Sequence, residues 1–166
     1  TVTISGSNLA GVTRVTFGGL GAAFTHNSTA GTISATVPSG ATSGQVVVTT
    51  TSGGSSAGFN FTVALSIAAQ PASAVIRNGG SFTLQVRPAG GTPPYSFQWR
   101  KGSEVLPGAT SAVYSRSNVA SAETGTGAYN VVVADSAGAS ITSSTAVVSL
   151  ASASGTFLSD ASFIRP

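Results

Sequence analysis

The chain has 166 residues, with seven Lys or Arg against four Asp or Glu, one His and no Cys; only 7% of the residues are charged. So few ionisable groups argue against acid–base, metal or nucleophilic chemistry. Arg14, Arg77, Arg87, Arg100, Lys101, Arg116 and Arg165 are too dispersed to track a phosphate backbone, which argues against nucleic acid.

Leu, Ile, Val and Phe are plentiful, so the chain is unlike charge-rich disordered sequences. Its surface must be Ser, Thr, Gly and Ala, a weakly hydrated skin suited to a protein packed among copies of itself or carrying sugars.

From the N-terminal end, apolar residues alternate at Val2/Ile4, Val15/Phe17, Ile33/Ala35/Val37 and Phe59/Phe61/Val63. They do so again at Phe82/Leu84/Val86, Phe97/Trp99 and Tyr129/Val131/Val133. This is the period of strands with one wet and one buried face. Gly18-Gly19, Pro38-Ser39-Gly40, Gly53-Gly54, Asn78-Gly79-Gly80, Gly90-Gly91 and Pro107-Gly108 supply the turns between them. Short strands at this spacing predict an all-β chain built of β-sandwiches. No apolar run approaches the roughly 20 residues of a membrane helix, so no membrane insertion is expected.

Composition shifts near Ala64. Residues 1–64 contain no carboxylate and only Arg14 as a fixed cation, whereas every Trp and Tyr lies beyond. A boundary there predicts sandwiches at 1–64 and 65–150, joined by almost no linker and so forming a stiff rod. From Ala151 the chain becomes an Ala/Ser stretch, followed by Gly155 and an apolar-rich tail from Phe157 to Pro166. Thr1 is not an initiator Met and no signal peptide is seen, as expected of a processed product or an excised segment.

The opening Thr1-Val2-Thr3-Ile4-Ser5-Gly6-Ser7-Asn8-Leu9 and Val15-Thr16-Phe17-Gly18-Gly19 carry a family pattern. Ile33-Ser34-Ala35-Thr36-Val37-Pro38, Gly44-Gln45-Val46-Val47-Val48 and Phe59-Asn60-Phe61-Thr62-Val63 continue it in order. Residues 1–64 resemble the IPT/TIG immunoglobulin-like family of surface receptors, bacterial surface proteins and polysaccharide-processing enzymes.

Beyond Leu65 a second set occurs in order: Gln70-Pro71, Gly80-Ser81-Phe82-Thr83-Leu84-Gln85-Val86, Phe97-Gln98-Trp99, Leu106-Pro107-Gly108-Ala109-Thr110 and Tyr129-Asn130-Val131. This segment resembles bacterial immunoglobulin-like repeats of secreted proteins. The resemblance implies that Trp99 is the buried strand-C tryptophan and Tyr129 the corner tyrosine, with Val86 and Val131 in the places of the inter-sheet cysteines. Together the two likenesses imply two tandem immunoglobulin-like β-sandwiches, an extracellular or cell-surface setting, and no catalysis.

Individual residues yield bland readings. His26 has no carboxylate in its sandwich to orient it and is expected in a surface loop. Glu104, Glu123, Asp135 and Asp160 lie too far apart for a Ca²⁺ site, with Asp135 expected to support a hairpin turn. Lys101, the sole lysine, is expected as a solvated strand end. Phe97 and Trp99 are expected in the core, while Tyr95, near the strand start, is a candidate platform for a glycan. Asn27 and Asn60 begin N-glycosylation acceptor patterns, Asn60 facing outward between inward-facing Phe59 and Phe61. No cofactor or metal is expected.

IPT/TIG sequences usually carry a strand ahead of the segment with which this chain opens, so the first sandwich is expected to lack its N-terminal strand. The vacancy would leave an apolar groove and unpaired sheet edges that invite strand addition. Two sources are open: preceding residues of a longer chain, or the tail of another copy, with Phe157, Leu158, Phe163 and Ile164 as the candidate assembly strand. The second gives head-to-tail self-association. The functional expectation is therefore a secreted or cell-surface structural or adhesive module, in its most specific form a filament subunit assembled by β-strand addition. The alternative is a non-catalytic accessory module, presenting glycan or acting as a spacer, of a secreted polysaccharide-active enzyme.

Overall fold

A computed structural model describes residues 1–119 and 127–151. Among these residues there is no helix. The first seven strands are β1 (Val2–Ser5), β2 (Val12–Phe17), β3 (Leu20–Gly21), β4 (Phe24–Asn27), β5 (Thr32–Ala35), β6 (Gly44–Thr50) and β7 (Phe59–Phe61). They form two antiparallel sheets, ordered β1-β5-β4 and β3-β2-β6-β7. Between the sheets lie Val15, Phe17, Ile33, Ala35, Ala41, Val46 and Val48. The alternating residues from β5 meet those from β2 and β6, so the period-two pattern becomes one core.

The second set is β8 (Ser66–Ala69), β9 (Ala74–Ile76), β10 (Phe82–Gln85), β11 (Arg87–Ala89) and β12 (Ser96–Lys101), followed by β13 (Glu104–Val105), β14 (Val113–Arg116), β15 (Gly127–Ala134), β16 (Ser140–Thr142) and β17 (Ala146–Leu150). One six-stranded sheet runs β13-β12-β15-β17-β9, with β16 also on β15. The pairs β10-β14 and β11-β8 build the opposite layer. Trp99 and Val131 are fully buried, and Val86 and Tyr129 nearly so, whereas Phe97, also expected in this core, is half-buried against it. Trp99 stacks on Tyr114 and its indole N–H donates to the Ser111 carbonyl at 2.8 Å, which satisfies its one polar atom.

The last strand of this sandwich is broken in two at Ser143, whose Oγ accepts the Val131 amide and donates to the Ser144 carbonyl. One buried hydroxyl thus replaces a missing ladder bond.

The two sandwiches meet at a short bracket. The Ser43 amide donates to Gly91 O at 2.7 Å, the Gly91 amide donates to Val63 O, and Ser43 Oγ bonds both the amide and the carbonyl of Val63. Gly90 and Gly91 have φ of +68° and +61°, and a Cβ on Gly90 would run into the Ala64 carbonyl. Only glycine lets the loop approach this closely. Asp135 braces it from behind: Oδ2 accepts the Thr92 amide, and Oδ1 accepts those of Ala137 and Ala139. These bonds hold its carboxyl below the ordinary 3.8, the Thr92 contact contributing most. Asp135 therefore does support a hairpin turn, and it also shapes the contact between the sandwiches.

Candidate functional site: an open trough between two sheet edges

The second sandwich shows how such edges are covered. Its first strand is split, β8 lying antiparallel on β11 and β9 lying parallel on β17, and Ile76 of β9 is thereby buried. In the first sandwich the corresponding edges are β1, which pairs β5 on one side, and β7, which pairs β6 on one side. Among the described residues neither has a strand on its other side.

The register makes the consequence plain. Val46 pairs with Phe59 and Gly44 with Phe61, so both phenylalanines share the core-side face of their sheet with the buried Val46. Phe61 packs edge-to-face on Phe17 at 5.0 Å, whereas Phe59 is 65% exposed. The expectation that Phe59 points inward holds for its direction and fails for its burial, because no side chain lies over it from the opposite layer.

Opposite Phe59 stand Val2 and Ile4 of β1, half-buried on the row that contains Ala35 and Ile33. A groove of about 320 Å³ lies between β1 and β7, lined by Val2, Ile4, Val46, Phe59 and Phe61. It shares Ile4, Ser5 and Phe59 with a second depression that reaches Leu9, Val48 and Ser56. A third continues past Leu9 and Val48 to Thr50. Together they form one trough along β6, apolar around Val2, Ile4, Val46, Phe59 and Phe61 and polar toward Thr50, Ser52 and Ser56.

The remaining candidates do not converge. His26 is in β4 rather than a loop; its register with Ile33 sets it on the core-side row, half-buried. The sequence signal was weak because Thr25 and Asn27 flank it and only Phe24 marks the strand. Glu104 is exposed on β13 and far in sequence from Asp135, and Glu123 and Asp160 lie outside the described residues. Among the described residues no three His, Cys, Asp or Glu side chains gather to hold a metal. Lys101 Nζ sits 6.0 Å from the Tyr129 ring centroid, over an aromatic face.

Tyr95 is half-buried against the second core, its hydroxyl donating to Gly90 O, so it does not offer the open ring face expected of a glycan platform. Asn27 is exposed, but its Oδ1 accepts the amides of Thr29 and Ala30 in a local turn; Asn60 is exposed on β7. Phe157, Leu158, Phe163 and Ile164 lie outside the described residues.

Two β-sandwiches in tandem, each of immunoglobulin-like strand order, define the class of protein. The IPT/TIG domain model matches residues 1–63. A curated protein named "Decoration protein", from Escherichia phage T5, is 35% identical over 79 residues, which is 48% of this chain and 47% of that protein. The chain thus spans about half the length of this curated relative.

Among solved structures, extracellular domains 3–5 of Drosophila OTK align over 90% of this chain and 59% of theirs, with a TM-score of 0.53 and 17% identity. The tandem Ig repeats of Dlar align over 90% and 87%, with a TM-score of 0.46 and 13% identity. At such identities the likeness concerns the fold alone. No helix among the described residues is long and apolar enough to cross a membrane.

Proposed function

We propose that this chain is a non-catalytic structural module, displayed on the outside of a cell or particle and joined to its neighbours by β-strand addition at the trough between β1 and β7. The observation that carries the reading is Phe59: a phenylalanine on the core-side face of a sheet edge, 65% exposed, beside a second free edge. Covering such a side chain stabilises by about 1.5–3 kcal/mol, and the backbone of an added strand satisfies edge groups on both sides.

Joined head to tail, modules of this kind build a filament. The near absence of surface charge suits close packing among copies, and the phage relative's name, "Decoration protein", is compatible with a structural or accessory role at a surface. The alternative of a glycan-presenting accessory module has less support, since the Tyr95 hydroxyl is engaged by Gly90 O.

The test is assembly of the purified chain, followed by light scattering and electron microscopy, against a Phe59→Asp variant. The reading requires higher-order species that the variant does not form. Identical assembly by both proteins would refute it.

A further inference from the structure

The two outer faces of the second sandwich differ in chemistry. On the β10-β14 pair the solvent side carries Thr83, Gln85, Val113 and Ser115, and the Thr83 and Ser115 hydroxyls satisfy one another at 3.0 Å. On the larger sheet the buried Tyr129, Val131 and Val133 of β15 fix the inner side, so Ala128, Asn130 and Val132 point outward. Register sets Val147 beside Ala128, Gln98 beside Val132, and Arg100 between Asn130 and Val105. Val105 is 45% exposed and Val147 47%.

The polar groups of this face are not all satisfied. Gln98 Nε2 donates to the Trp99 and Leu106 carbonyls. Arg100 Nε and Asn130 Oδ1, by contrast, are shielded from water and have no hydrogen bond, and among the described residues they are the side-chain atoms left in that state. Such orphans are destabilising. One is a donor and the other an acceptor, on neighbouring strands at one level of the sheet.

We propose that this face packs on the same face of a second copy, about a two-fold axis running along the strands between β12 and β15. That axis sets β12 of each copy over β15 of the other at the same level. Arg100 then faces the partner's Asn130, and Asn130 faces the partner's Arg100, as an isologous contact requires. Outward turns of the two side chains bring Arg100 N–H to the amide oxygen across the interface, twice per dimer. The same axis sets β13 over β17, which covers Val105 and Val147 at the margins.

Self-complementarity is what selects a second copy: the unpaired donor and the unpaired acceptor lie on either side of one axis, and valines surround them. Four strands about 4.8 Å apart, with about 3.3 Å per residue, give a face of roughly 20 Å by 20 Å. That is the low end of specific interfaces, so the dimer forms at concentrations on the order of 10–100 μM. The copies stack face to face, and the edge amides of β13 stay open to water. This contact belongs to the second sandwich and is independent of strand addition at β1 and β7.

Sedimentation of the full chain from about 1 μM to about 1 mM tests it, in a Phe59→Asp background so that the trough adds nothing. The protein should reach a dimer and stop. Val147→Asp should weaken the dimer roughly 30-fold, and Thr83→Asp, on the opposite face, should leave it unchanged. Arg100→Ala and Asn130→Ala should each weaken it about 10-fold, because each leaves the facing groups unpaired. Mixed together, these two variants should form a dimer about 10-fold tighter than either forms alone, since the mixed dimer keeps one complete pair and loses both members of the other. Tryptophan fluorescence and circular dichroism verify that each variant is folded.

A chain still monomeric at the highest concentration, or equal losses from Val147→Asp and Thr83→Asp, overturns the proposal. A mixture no tighter than its components would place the Arg100–Asn130 bond within one chain and remove the two-fold arrangement. Either failure leaves strand addition standing, because that reading is tested with Phe59 in place.

Discussion

Val46 and Phe59 are register partners across β6 and β7 and share one face of the sheet, yet Val46 is 8% exposed and Phe59 65%. Neighbours on one sheet face differ this much only when the opposite layer covers one and stops short of the other. The trough is therefore a property of the layer arrangement rather than of any single side chain.

Replacing Phe59 should leave the isolated molecule almost as stable as before. Phe59→Ser is expected to change the unfolding free energy by no more than about 0.5 kcal/mol, as for exposed positions generally. Phe61→Ala, which removes the ring packed on Phe17, should cost about 2 kcal/mol or more. Urea melts of dilute samples compare the two, and equal losses would place Phe59 in the core.

The single tryptophan reports on one sandwich. Trp99 is fully buried in the second core, so its emission should shift to the red when that sandwich unfolds. Trp99→Phe gives up the bond to Ser111 O and opens a cavity, with an expected cost of about 2–4 kcal/mol. A Phe17→Ala change should lower the circular-dichroism transition of the first sandwich while leaving the tryptophan transition near its original midpoint.

Acid should loosen the bracket. The carboxyl of Asp135 is held below its ordinary 3.8, chiefly by the Thr92 amide, so it is more acidic folded than unfolded. Its stabilising contribution is then present above the unfolded value and is lost as pH falls through the lower folded value. Thermal melts from pH 6 down to about pH 2.5 should show a fall in midpoint concentrated below about pH 4. That component should be absent in Asp135→Asn, which starts from a lower midpoint at neutral pH.

Ser43 ties the sandwiches together with one side chain. Ser43→Ala retains the amide bond to Gly91 O but forfeits both Oγ bonds to Val63, with an expected loss of about 1–2 kcal/mol. Gly90→Ala should be worse, because φ of +68° strains any side chain and the added Cβ meets the Ala64 carbonyl. Small-angle scattering of either variant should show a wider spread of inter-sandwich distances than the parent.

Much of this architecture is legible in the alternation. Val15/Phe17, Ile33/Ala35, Phe82/Leu84 and Tyr129/Val131/Val133 mark faces that are indeed buried. Alternation assigns a face, however, and burial depends on what stands opposite, which is why Phe59 reads as core in sequence and is open in the fold. His26 was hidden for the converse reason: β4 is a polar edge strand whose register, and not its composition, turns the imidazole toward the interior.

The break between β16 and β17 also escaped notice, because Ser143 looks like any other residue of a Ser/Thr-rich stretch until its hydroxyl is seen to cap the Val131 amide. The trough itself was foreseeable from the family pattern.

Amide hydrogen exchange at both edges tests strand addition most directly. Between dilute and assembled samples of the intact chain, the amides of Val2–Ser5 and Phe59–Phe61 should gain strong protection while those of β4 and β13 stay as they were. Assembly with both edges still exchanging freely, or edges already fully protected in the monomer, would contradict it.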